Sequence, residues 1–250
     1  MPFIGLSILI QILCAVHCVR SGRNGMWLTV IIFLSIPGCL AYAIFEILPQ
    51  YQGRREVRAA KAVAAKKLDP DRDMRAAREA LEMADTAANR TALADALADK
   101  GEWAEAAQSY RDALTRTYGG SDRALQVKLA RAELERGDSA AARDILRSVP
   151  TSGSPSENDR TALLLARALD DCGDNDAALS LYADVGERLA GAEAQCRHAA
   201  LLIRLGRQAE AVPLLEETER RARRIDRFER MRDSDMYAWA ARTLAELRGA

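Results

Sequence analysis

The sequence predicts an all-α protein, a transmembrane helical hairpin followed by an α-solenoid of paired helices. Three observations carry that expectation. Two long apolar runs, residues 2–19 and 26–48, open the chain and are split only by the polar stretch "RSGRNG". Aromatic residues make up 5% of the chain while Ala, Leu, Arg and Glu abound, and these straight or small side chains lose little freedom in a helix. Beyond residue 100, a Gly-x4-Ala-x3-Tyr/Leu pattern recurs four times.

A helix needs about 20 apolar residues to cross the hydrocarbon core. The second run supplies 23, with no charge before Glu46, and the first supplies 18 and includes Gln11 and His17. Lipid offers no hydrogen bonds, so each run has to pair its own backbone as helix. The polar stretch between them then belongs at a water interface. The expected element, residues 1–50, is a hairpin with both ends on one side and Trp27 at the interface. The first run lacks a basic leader and a small-x-small cleavage site, so it does not read as a signal peptide.

Orientation follows from Lys and Arg. The expected turn carries Arg20 and Arg23; the stretch after the second run carries Arg54, Arg55, Arg58, Lys61, Lys66 and Lys67. The six outweigh the two and place the body in the cytoplasm, beneath an inner or plasma membrane. Net charge is zero, and no dominant basic field points to nucleic acid.

The stretch "HCVRSGRNGMWLTVIIFLSIPGCLAYAIFEILP" resembles the two-helix N-terminal module of phospholipase D-type cardiolipin synthases. Trp27, the Pro37-Gly38 pair, Tyr42 and Glu46 carry the resemblance, and with Arg20 and Arg23 they make up the expected anchor motif. That family's catalysis lies in downstream His-x-Lys-x4-Asp motifs. The two histidines here, His17 and His198, open no such motif, so the resemblance implies an anchor without the lipid chemistry.

Residues 51–86 read as a helical stalk (54–68) and an extra helix (74–85), split by "DPDRD". Residues 87–231 hold the repeats. Their glycines are Gly101, Gly137, Gly173 and Gly206; their alanines are Ala106, Ala142, Ala178 and Ala211. One turn later come Tyr110, Leu146, Tyr182 and Leu215, and seven positions before each glycine stands Ala94, Ala130, Ala166 or Ala199. A Leu precedes that alanine in three copies (Leu93, Leu129, Leu165), and His198 replaces it in the fourth. The glycine ends one helix where the chain reverses. The small alanines let two helices approach, and the large residue fills the space against the next pair. Expected pairs are 88–99/103–117, 122–136/139–148, 158–172/175–189 and 192–205/208–231, with Ser156 and Asp159 as a cap for the third. Residues 232–250 form a closing helix that covers the last apolar face.

This pattern resembles the tetratricopeptide repeat, a helix–turn–helix unit of about 34 residues, here in four degenerate copies that lack the opening Trp. The resemblance implies a groove lined by the first helix of each pair. In that register Lys128, Arg131, Arg160, Arg167 and Arg197 face the groove, with Asp95 and Asp170 nearby, and their cations suit an acidic peptide or a terminal carboxylate. The family's carboxylate-clamp set of Lys and Asn is absent.

No catalytic constellation, Gly-rich phosphate loop or cofactor motif stands out. Cys14, Cys18 and His17 fall short of a metal set, because His17 leaves the face that the cysteines share. The arginine-rich run 219–233 reads as a solvated helix laced by i,i+4 pairs. The expected function is a membrane-anchored adaptor, without catalysis or cofactor, that binds a protein partner (an acidic peptide or another membrane protein) and contacts lipid through residues 1–50. The alternative is an accessory subunit of a membrane lipid or envelope enzyme, with the hairpin as its contact surface.

Overall fold

The computed structural model describes residues 2–20, 26–42, 69–117 and 122–249. Arg23, Glu46, the expected stalk at 54–68 and most of the 117–122 loop lie outside them. Regular structure among the described residues is helical throughout: α1 (Pro2–Arg20), α2 (Met26–Tyr42), α3 (Arg72–Met83), α4 (Ala87–Asp99), α5 (Trp103–Leu114), α6 (Arg123–Glu135), α7 (Ser139–Ser148), α8 (Pro155–Asp171), α9 (Asn175–Arg188), α10 (Glu193–Arg204), α11 (Gln208–Arg224), α12 (Arg227–Arg232) and α13 (Ser234–Gly249). The chain divides into two compact units, residues 1–72 and 73–250.

In the first unit α1 and α2 pack together, but α2 is not one straight rod. The rings of Trp27 and Tyr42 meet edge to face with centroids 5.6 Å apart, whereas a straight helix would hold these residues about 22 Å apart along its axis. A Cβ added at Gly38 would run into the Val30 carbonyl. The chain therefore turns back between Leu34 and Gly38. Pro37 lies in that interval; it lacks an N–H and its ring clashes with the carbonyl one turn earlier. This departs from the second crossing expected of residues 26–48. Among the described residues no helix is long and apolar enough to cross a membrane.

The packing of this unit pairs three of its polar side chains internally. Cys18, Ile31, Cys39 and Tyr42 are buried, with Cys14, Trp27 and Leu28 against them. His17 Nδ1 and the Tyr42 hydroxyl share a 3.0 Å hydrogen bond, and Gln11 Nε2 donates to the Ile31 carbonyl at 3.2 Å. Large apolar side chains point outward: Leu13, Val19, Ile32 and Leu40 are each more than half exposed, and Phe33 is 81% exposed.

The second unit follows water's usual preference. Its helices form the consecutive pairs α4/α5, α6/α7, α8/α9 and α10/α11; from α4 to α11 each helix packs on the next, and α11 packs on α13. Gly101, Gly137, Gly173 and Gly206 all take positive φ, between 75° and 94°. At each, the glycine N–H bonds three residues back and the following N–H five back, as in Gly137 to Leu134 (3.1 Å) and Asp138 to Glu133 (2.8 Å). This double bond closes a helix only where the residue can adopt the left-handed region. Asp138 then uses its carboxylate to cap α7, accepting from Ala141 N–H. The eight repeated alanines have no exposed surface. Tyr110, Leu146, Tyr182 and Leu215 are buried beside them.

Two boundaries differ from expectation. The expected 208–231 helix breaks at Ile225, whose extended backbone (ψ 154°) separates α11 from α12. The third pair starts at Pro155 with Ser154 at the cap position and no side-chain cap bond; proline presets φ for a first helical turn. Ser156 and Asp159 therefore lie inside α8, where Asp159 pairs with Arg188 at 2.9 Å.

At one end, α3 buries Met74 and Ala77 in the cluster that holds α4 and α5. Asn89 ties it down by donating to the Ala80 and Ala84 carbonyls at 2.9 and 2.8 Å. At the other end, α13 buries Tyr237, Ala240 and Leu244, with Met236, Trp239 and Leu247 partly covered.

Candidate functional site

The candidate surface is the one read from α4, α6, α8 and α10, the first helices of the pairs. Successive first helices are joined by an acid on one and a base on the next. Asp95 on α4 accepts from Lys128 on α6 at 2.7 Å. Glu135 on α6 accepts from Arg167 on α8 at 3.0 Å. Asp170 on α8 pairs with Arg204 on α10. Two of the acids also receive a tyrosine from the second helix of their own pair. Tyr110 donates to Asp95 at 2.6 Å and Tyr182 to Asp170 at 3.4 Å. Burial first, and then the adjacent carboxylate, push both phenols well above the usual tyrosine range, so both stay protonated donors.

This ladder takes up part of the expected site. Lys128 and Arg167 are rungs. Arg167 also reaches Glu193 at 3.9 Å, and Arg197 pairs with the same Glu193 at 2.8 Å, one turn along its own helix. Arg131 and Arg160 are exposed and have no hydrogen bond or ion pair among the described residues. The five cations therefore do not form one site. Lys128 and Arg131 line a cleft of about 390 Å³ with Asp95, Asp99, Trp103 and Tyr110. Arg160 lines a second, of about 320 Å³, beside Leu163, Gly191, Glu193, Arg232 and Asp233. Arg167 and Arg197 meet at Glu193.

The first cleft has the clearer chemistry. Lys128 is paired with Asp95 at 2.7 Å. Arg131 presents a planar fork suited to a carboxylate, and Trp103 is half-buried in the wall near it. Asp99 lines the same cleft. The wall of the second cleft is fixed by its own contacts. Arg221 donates to the Leu189 and Gly191 carbonyls at 3.2 and 3.1 Å, and Asp233 accepts from Ala192 N–H at 3.2 Å.

Other reactive groups have structural surroundings. Glu133, fully buried, is held by Arg111 and Arg136. Burial pushes the Cys196 thiol up to about 12, and its Sγ lies 3.5 Å from the Met236 carbonyl. His198 stacks on Tyr182 with ring centroids 6.4 Å apart, and burial, with Arg207 next, lowers its pKa. Among the described residues no three His, Cys, Asp or Glu side chains are placed to hold a metal ion.

No family model and no curated protein matches the chain.

Of the anchor motif, the structure brings Trp27 and Tyr42 together, with His17 of α1 against Tyr42, and sets Pro37 and Gly38 at the turn of α2. Arg20 ends α1. Sequence reasoning missed Trp103, Glu135, Glu193 and Arg204. A usable signal existed, since each rung joins opposite charges 32 to 34 positions apart, about one repeat.

Proposed function

We propose that the chain is a membrane-anchored scaffold of tetratricopeptide-like repeats that binds an acidic segment of a protein partner, without chemistry of its own. The four glycine-closed helix ends and the eight fully buried alanines support a stack of like units. The internal pairing of Gln11, His17 and Tyr42 and the outward Leu13, Val19, Ile32, Phe33 and Leu40 support a lipid environment for the first unit, because a bilayer offers no partners to polar side chains. The excess of Lys and Arg in the first 68 residues supports a cytoplasmic body under an inner or plasma membrane. The observation that carries the binding reading is the contrast within one cleft. Lys128 is neutralised by Asp95, whereas Arg131, three residues on, is exposed beside Trp103 with no ion pair among the described residues.

A photo-reactive residue in place of Asp99 tests this in the full chain. One discrete adduct is expected, lost on Arg131→Glu while membrane retention is unchanged. An adduct indifferent to Arg131→Glu overturns the groove reading. The exposed apolar flank of the first unit favours the accessory-subunit alternative if the adduct survives Arg131→Glu and is lost when residues 1–50 are exchanged for an unrelated anchor.

A further inference from the structure

We propose that the first unit enters lipid as a folded-back insertion. The link between α1 and α2 and the chain leaving Tyr42 then lie at the same face of the bilayer, with hydrocarbon covering the outward side chains. The inference rests on the membrane reading above and changes its topology.

The geometry is specific. Tyr42, the last described residue of α2, contacts Trp27 at the start of the same helix and His17, three residues before the end of α1. A spanning α2 would carry Tyr42 to the opposite face. Instead the chain descends from Met26 to Leu34, a leg of about 13 Å, less than half of a ~30 Å hydrocarbon core. It then reverses and returns to its level of entry. Gly38 makes the reversal possible by letting two backbone strands of the same helix approach without a Cβ between them.

The outward surface identifies the occupant. Ile32, Phe33 and Leu34 are all exposed. Successive residues of a helix lie about 100° apart, so these three face around roughly 200° of the axis. A single protein partner covers one stripe of a helix, whereas lipid covers every direction at once. Three polar side chains find partners within the unit. His17 is satisfied by Tyr42 and Gln11 by the Ile31 carbonyl, and Cys14 packs against the cluster that holds Cys18 and Cys39.

The fold-back also removes a conflict in the charge pattern. A spanning hairpin places Arg20 and Arg23 across the membrane from the six cations at 54–67. A folded-back insertion carries no such opposition, since the excess of Lys and Arg then favours the same side throughout.

Two full-length variants read the topology with a membrane-impermeant maleimide. One keeps the exposed native Cys172. The other carries Cys172→Ser and Ser21→Cys. Both sites are expected to behave alike, protected in intact cells and labelled on permeabilisation, or both labelled throughout. Labelling of one site in intact cells with protection of the other overturns the inference and restores a spanning hairpin. A third variant, Trp27→Cys with Tyr42→Cys, is expected to accept an intramolecular cross-link from a short bis-maleimide; a straight helix would not. Release of the wild-type chain by carbonate wash would defeat the membrane reading itself. Release as a stable dimer would assign the apolar surface to a second copy and likewise overturn the inference.

Discussion

The two units distribute their polar and apolar side chains differently. In α1 and α2 His17 bonds Tyr42 and Gln11 bonds a backbone carbonyl, while Leu13, Val19, Ile32, Phe33 and Leu40 face out. In residues 73–250 alanine, leucine and tyrosine fill the interior, and arginine, aspartate and glutamate pair across the surface. Chain composition does not distinguish a helix bound for lipid from one bound for a core. The direction in which the polar groups point does, because a polar group unpaired in hydrocarbon costs several kcal/mol.

The sharpest way to break the comparison is to separate its halves. Residues 69–250 expressed alone are expected to stay in solution, elute as a monomer and show helical circular dichroism, whereas the full chain needs detergent. A fragment that aggregates would mean that the outer surface of the second unit depends on the first.

Next in size is the packing of the repeats. Tyr182 is fully buried between α8 and α10, stacked on His198 and bonded to Asp170. Tyr182→Ala should cost about 3–5 kcal/mol by denaturant unfolding of that fragment. Tyr182→Phe, which keeps the ring and loses the long 3.4 Å hydrogen bond, should cost about 1 kcal/mol or less. Equal losses would move the weight from the ring to the hydroxyl. In the first unit the matching change is Gly38→Leu, expected to abolish the Trp27–Tyr42 cross-link because the added side chain meets the Val30 backbone.

These two elements also mark what the sequence could tell. Gly137 and Ala142 were legible because each is a steric requirement that recurs: one residue must take a left-handed turn, and another must vanish between two helix axes. The return of α2 was not legible. Residues 26–42 are apolar without periodicity, so no face is marked, and Pro37 is compatible with a continuous membrane helix when neighbours satisfy the freed backbone groups. Arg131 and Lys128 looked alike in sequence. They differ in the structure because Asp95 lies one repeat upstream at a register that shifts from pair to pair. Asp95 precedes its glycine by six positions, Glu135 by two and Asp170 by three.

A smaller effect sharpens that last distinction. Lys128→Met removes a rung between exposed groups, worth about 0.2–1 kcal/mol and fading in high salt. Arg131→Met removes a cation with no described partner and should leave stability unchanged while weakening capture at Asp99. Equal stability losses would show that Arg131 belongs to the ladder after all.

The smallest signal comes from His198, the one repeat position where a titratable ring replaces leucine. Its folded pKa lies below the unfolded value near 6.5, because burial and then Arg207 disfavour the imidazolium, with Glu210 opposing them. The unfolded chain therefore takes up the proton first. The stability His198 contributes is fully present above about pH 6.5 and declines as pH falls below it. Carboxylates titrate lower, so a comparison of wild type with His198→Leu between pH 5.5 and 7.5 isolates this group. The wild-type fragment should lose stability toward pH 5.5, and the variant should stay flat. A flat wild type would mean that Glu210 offsets burial and Arg207 completely, leaving the stacked ring as easy to protonate in the fold as outside it.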